Sequence, residues 1–271
     1  MKHRELAPLN LDPPHQGRAP VMICLLGDFR LTFRQQPVPL RPGSKPEQLL
    51  IGLALSSQDG LTPVRIVELL WPNRDPALAR QSLSSLLYQL HVLSQKHLSG
   101  HNLIRSYPGH YTIDRSSGVC MDTEYFDTLL DQGEILHSDG EVERGIACWE
   151  NALEFYRGDL VDDGTVETLI ERERLRANFL KTLARLADCV YSQGDYSKAL
   201  TIIYRLLRHD PCREDAHRQA MRCYMRMGLR SQAFRQYQLC RRSLLEVFGC
   251  APEPATEDLF QQMKSDPTGV C

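Results

Sequence analysis

Between Asp75 and Leu93 the apolar residues Ala79, Leu83, Leu86, Leu87, Leu90 and Leu93 recur at helical spacing. That period predicts a helix with one buried face. Asp75 suits an N-cap, and Pro76 suits the first helical position, where its missing N–H costs nothing. The opposite face carries Arg80, Gln81, Ser84, Ser85, Tyr88 and His91, all able to hydrogen-bond. Ten residues further on, Leu103–Asp114 alternates as a β-hairpin, with Pro108-Gly109 matching a type II turn. A helix with a polar face followed by a basic hairpin is the pattern of a winged helix, with 75–93 as its recognition helix.

The segments before it complete one small α+β core. Val21–Phe33 is rich in β-formers and broken at Gly27-Asp28, which predicts two short strands, with Val38–Leu40 as a third. Ser44-Lys45-Pro46-Glu47 has the capping-box pattern and opens a helix that buries Leu49, Leu50, Leu53 and Ala54. Gly60 and Thr62-Pro63 separate it from a helix with Ile66, Val67, Leu70 and Trp71 as its apolar stripe. Strands, three helices and a hairpin place a winged-helix domain at 20–115. Residues 1–19, rich in Pro and charge, read as a disordered tail.

Beyond Asp122 the pattern is helical only, with helices expected near 122–136, 141–156, 164–193, 196–209, 213–227, 231–248 and 254–264. Cys189, Gly194, Ala199 and Leu200 recur 34 residues later as Cys223, Gly228, Ala233 and Phe234. That period, with Gly between two helices and a small residue early in the second, is the tetratricopeptide pattern. Gly140, Gly145, Trp149 and Ala152 mark a third unit, displaced by an insertion around 157–165. The expected fold is therefore an α+β N-terminal winged helix followed by an all-α tetratricopeptide-like domain at 122–264.

Charge sharpens this division. Residues 18–115 hold eleven Lys/Arg against six Asp/Glu, a net of +5, and the first 17 residues balance. The rest of the chain therefore carries −7 to reach the total of −2. A basic first half beside an acidic second half points to a polyanionic partner for the first alone. The nine cysteines form no C-x-x-C pair, and several lie within helical patterns, as reduced, buried thiols do in a cytosolic protein. No signal-peptide h-region or membrane-length apolar run is present, so a cytoplasmic protein with no membrane partner is expected.

Enzyme signatures are lacking: no phosphate-binding loop, dinucleotide fingerprint, H-E-x-x-H or G-x-S-x-G occurs, and no His/Cys set has zinc spacing. No enzymatic activity, cofactor or metal is expected. The chemistry favours nucleic acid. On the helix, Arg80 suits guanine O6/N7 and Gln81 adenine N6/N7, while Ser84, Ser85 and Tyr88 suit base edges or phosphates. On the hairpin, Arg105, Ser106, Tyr107, His110 and Tyr111 would face the backbone or minor groove.

These segments resemble the SARP-type bacterial transcriptional activators (Streptomyces antibiotic regulatory proteins). The resemblance rests on LLGDFRL (25–31), VELLWP (67–72), ARQSLSSLLYQL (79–90) and YPGHYTID (107–114). In the second half it rests on ERERLR (171–176), RHDPCREDAHRQAMRCYMRMG (208–228) and the run 233–260. It implies an OmpR/PhoB-type winged helix joined to a bacterial transcriptional activation domain. The implied partners are double-stranded promoter DNA with direct repeats, RNA polymerase holoenzyme and a second copy of the chain on DNA, with nucleoid association when bound. One departure stands out. Relatives carry a basic segment in the C-terminal half of the recognition helix, where this chain has Gln89, His91 and Val92. Fewer phosphate contacts weaken binding, so cooperative rather than solitary binding is expected. The alternative is a protein-interaction adaptor with a degenerate winged helix.

Overall fold

The computed structural model describes residues 19–56 and 60–265. The expected N-terminal tail lies outside the described residues except for Ala19. The described residues form two compact units, one within 19–129 with 151–175 and the other within 130–150 with 176–265.

In the first unit, β1 (Val21–Cys24), β2 (Arg30–Phe33), β3 (Gln36–Pro37) and β6 (Val119–Met121) form a sheet in the order β3-β2-β1-β6. All four residues of β1 are buried, so both faces of the sheet are covered at this strand. Its partner β2 runs antiparallel with Val21 opposite Phe33. The third strand begins earlier than its expected position at 38–40. Arg34 and Gln35 both take positive φ (47° and 69°), so β2 turns back at once into Gln36–Pro37. That two-residue turn has the left-handed conformation hairpins favour, built here without the usual Asn or Gly. β6 has no counterpart in the sequence reading; it lies parallel to β1, with Val21 opposite Val119.

Three helices follow the first strands. α1 (Lys45–Leu55) buries Leu49, Leu50 and Leu53, while Ala54 is only half-buried. The capping box at Ser44 does not close. Ser44 Oγ is buried without a partner, and the reach-back falls one residue earlier, where Glu47 Oε1 accepts from Gly43 N at 3.4 Å. α2 (Pro63–Leu70) is capped by Thr62, whose hydroxyl accepts from Arg65 N at 3.2 Å. α3 (Pro76–His97) leads to the hairpin of β4 (Ile104–Tyr107) and β5 (His110–Ile113), then a 3-10 turn at Arg115–Ser117.

The helical series is α4 (Asp122–Ser138), α5 (Val142–Phe155), α6 (Val166–Ser192), α7 (Tyr196–His209), α8 (Glu214–Arg226), α9 (Arg230–Phe248) and α10 (Pro254–Ser265). The stretch expected as an insertion, near 157–165, extends the first unit's sheet. Gly27 N donates to Asp159 O at 3.0 Å and Val161 N to Leu25 O at 2.9 Å. In the second unit, Gly194 and Gly228 take positive φ between helices, and Ala199 and Ala233 are fully buried. These are the turn and crossing roles the 34-residue period requires. α8, α9 and α10 enclose a core of Met221, Ala233, Leu259 and Met263, with Tyr237 stacked on Phe260 at 3.7 Å.

Candidate nucleic-acid interface

Local chemistry starts α3 where the sequence places it. Asp75 accepts from Ala77 N at 2.9 Å and Leu78 N at 3.1 Å, satisfying two of the orphan amides of the first turn. Ala79, Leu83, Leu86 and Leu90 are buried, Leu87 and Leu93 half-buried, and the helix continues past Leu93 through a buried Ser94 to His97. With that stripe inward, Arg80, Gln81, Ser84, Ser85, Tyr88 and His91 are all exposed on one helix. Tyr88 is 69% exposed, far more than a tyrosine packed for structural reasons.

The two serines differ from expectation in one respect. Ser84 Oγ donates to Arg80 O and Ser85 Oγ to Gln81 O, each at 3.2 Å. Their hydroxyl hydrogens are committed to the helix's own carbonyls, so outward they present acceptor lone pairs. Arg80 and Gln81 then remain as the donors of this half of the helix.

On the hairpin, Gly109 takes φ +88°, the value a type II turn needs at its third position. Arg105, Ser106 and Tyr107 are exposed, whereas His110 and Tyr111 are half-buried. Arg105 is oriented: Nη1 donates to Ser116 Oγ at 3.1 Å, Ser116 donates to Asp114 at 2.6 Å, and the guanidinium lies 5.4 Å from the Tyr107 ring centre. Tyr107 in turn stacks on His110 at 4.9 Å and 8°. Tyr111 pairs with Leu61 through both backbone groups at 2.9 Å, which anchors the hairpin to the segment before α2. Its side chain lines a cavity of about 300 Å³ between hairpin and helix, with Leu87, His91 and Ser94. Tyr111 is thus a supporting residue more than a surface one.

A groove of about 400 Å³ beside α3 contributes two cations that the linear sequence did not single out. Lys45 from α1 and Arg74 from the α2–α3 connection lie along it with Trp71, Gln81, Ser85 and Gln89. They belong to separate elements 29 positions apart, so no spacing rule connects them. Among the described residues no group of His, Cys, Asp or Glu could hold a metal ion, and no helix is long and apolar enough to cross a membrane.

A winged helix carrying an exposed polar helix, followed by tetratricopeptide-like helical hairpins, defines a two-part regulator. The bacterial transcriptional activator domain family matches residues 121–264, more than half of the chain, and the chain belongs to that family. Relatives named as transcriptional regulators match most of its length, in line with the SARP-type resemblance. Transcriptional regulatory protein MoaR1 of Mycobacterium tuberculosis is 22% identical over 247 residues, covering 90% of this chain and 79% of that one. Regulatory protein DnrI of Streptomyces peucetius is 25% identical over 232 residues, covering 82% and 85%. The solved structure of Mycobacterium tuberculosis EmbR in complex with a low affinity phosphopeptide shares the fold, with a TM-score of 0.70 at 20% identity. That likeness covers 91% of this chain, which spans 65% of the EmbR chain.

Proposed function

We propose that this regulator is a sequence-specific DNA-binding transcriptional activator. In this reading the winged helix of 20–115 occupies promoter direct repeats and the helical domain of 122–264 recruits RNA polymerase. The observation that carries it is the exposed row Arg80–Gln81–Ser84–Ser85–Tyr88, held outward by a buried stripe on the same helix. A major groove admits one α-helix, and its guanine and adenine edges match Arg and Gln bidentately. In this placement Arg105 meets the neighbouring phosphate backbone, with Ser106 and Tyr107 beside it, while His110 and Tyr111 brace the hairpin. Lys45 and Arg74 supply further phosphate contacts from the groove beside α3. Backbone contacts of this kind set register and affinity, and base contacts set sequence.

The test is fluorescence anisotropy of the full chain on duplex from its own upstream region against shuffled duplex, at several salt concentrations. The reading requires a preference for the upstream sequence that Arg80→Ala diminishes, and equal binding to both duplexes would overturn it. One observation favours the adaptor alternative: Gln89, His91 and Val92 bring no arginine to the exposed C-terminal half of α3. Pull-down of polymerase without any duplex binding is the result that would select it.

A further inference from the structure

The first unit contains a further concave feature, lined by neither α3 nor the hairpin. A half-open cleft of about 750 Å³ lies between α1 and α2 on one side and the first turns of α6 on the other. Its volume is within the range that encloses small organic ligands. Leu25 and Leu160, both almost fully buried, reach it from the sheet extension, and Leu55, Leu61 and Leu69 add apolar wall. Gly52 lets Leu69 pack closely against α1 to form this wall, because a Cβ there would stand 2.6 Å from a Leu69 methyl.

The polar part of the lining is strongly one-sided. Glu68, Asp163, Glu167 and Glu171 lie around the cleft against a single cation, Arg65. Arg65 is itself paired with Glu68 at 3.5 Å. Asp163 is pinned in place, accepting from the Thr165 amide at 3.0 Å and hydroxyl at 2.7 Å. Glu171 forms a 2.6 Å ion pair with Arg174. Glu167 is exposed on the first turn of α6.

We propose that this cleft is a binding site for a small amphipathic organic cation, an ammonium or amidinium group on an aromatic or short alkyl body. The apolar wall takes the body by desolvation, and the surplus of carboxylates selects positive charge over negative. The site is independent of the DNA reading, since none of its lining residues belongs to α3 or the exposed face of the hairpin.

Matched probes test it on the full chain: phenethylammonium and 3-phenylpropionate share a body and differ in charge sign. Saturation-transfer NMR and thermal shift should show saturable binding of the cation, with the anion at least about tenfold weaker. Ala54→Phe, which fills the α1 wall of the cleft, should abolish cation binding. Glu167→Lys, at an exposed position that leaves the fold intact, should weaken it at least about threefold. Equal binding of the two probes, no saturable cation binding, or wild-type affinity in a folded Ala54→Phe or Glu167→Lys chain would each overturn the proposal.

Discussion

The Asp122 carboxylate receives the backbone amide of Leu25 at 2.7 Å, from 97 positions earlier in the chain, and that of Leu26 at 3.1 Å. Both amides are buried where β1 ends, and Asp122 stands on the first turn of α4. One side chain thus ties the first strand to the start of the helical series. Asp122→Ala leaves two buried N–H groups without acceptors, and each such group costs about 1–3 kcal/mol. Urea unfolding should report a loss of about 2–4 kcal/mol, which exceeds what any exposed ion pair of the chain contributes.

Burial pushes the Asp122 carboxyl up to about 6 from the ordinary 3.8, against the opposing pull of the Leu25 and Leu26 amides. A group whose folded pKa lies above its unfolded one binds more protons when folded. Its stabilising contribution is therefore complete below about pH 4 and is lost as pH rises through about 6. Asp122→Asn removes this titration while keeping one acceptor for the amides. Stability measured from pH 4 to pH 7 should decline less steeply with rising pH in Asp122→Asn than in the wild type.

His217 titrates with the opposite sign. Its ring is buried on α8, with Nε2 donating to Pro211 O at 3.0 Å and Nδ1 accepting from the Gln236 amide at 2.7 Å. The Gln236 bond requires the neutral ring, because a second proton, on Nδ1, would face the Gln236 N–H₂ group. Burial lowers the His217 pKa, although the Pro211 carbonyl and the nearby Glu214, Asp215 and Asp210 pull it upward. Its contribution is present above the unfolded histidine value of 6.5 and lost as pH falls below it. His217→Phe should cost about 2 kcal/mol at pH 8 by stranding the Gln236 amide. The same variant should lose less on moving to pH 5 than the wild type does.

The crossing of α4 and α5 depends on two glycines. A Cβ on Gly133 would run into the Trp149 indole, which is 2% exposed and has no room to yield, and one on Gly145 would sit 3.0 Å from Gly133 O. Gly140, in the turn between the helices, has open space around it but takes φ +86°. Gly133→Ala should therefore destabilise by about 2–4 kcal/mol through overpacking, despite alanine's better helix propensity. Gly140→Ala should cost only about 1 kcal/mol of backbone strain. Thermal unfolding of the two variants side by side distinguishes packing from conformation.

The residues that revealed their structure in sequence are those governed by local rules. Asp75 caps α3, Gly109 turns the hairpin, and Gly194 and Gly228 end helices because each position's chemistry is set by its immediate neighbours. The 34-residue period survives for the same reason, since it repeats one local packing problem. β6 leaves no such mark, because three residues, Val-Cys-Met, carry no period and its partner β1 is about a hundred positions away. The pairing of Asp159–Val161 with Leu25–Gly27 is non-local in the same way. At the candidate interface, the exposed row on α3 is legible because a buried stripe dictates its opposite face. Lys45 and Arg74 are not, because only the folded arrangement of α1, α2 and α3 brings them to one groove.

The exposed positions of α3 and the hairpin separate base reading from backbone attraction. Arg80, whose guanidinium extends from the exposed face, is the candidate bidentate donor to guanine, so Arg80→Ala should cost about 1–3 kcal/mol on the preferred duplex and relax preference at one base pair. Arg105 is braced by Ser116 and Tyr107 and works as a positioned charge. Arg105→Ala should weaken binding to all duplexes alike and reduce the slope of log K against log salt by about 0.9. Ser84→Ala should change little, because its hydroxyl hydrogen already serves the Arg80 carbonyl. The strongest check runs in the direction of gain. Val92 is 44% exposed on the C-terminal half of α3, where no arginine stands. If missing phosphate contacts limit solitary binding, Val92→Arg should tighten a single half-site and steepen its salt slope by about 0.9, while adding proportionally less on a direct repeat. Unchanged half-site affinity and salt slope would separate this end of the helix from DNA and count for the adaptor reading.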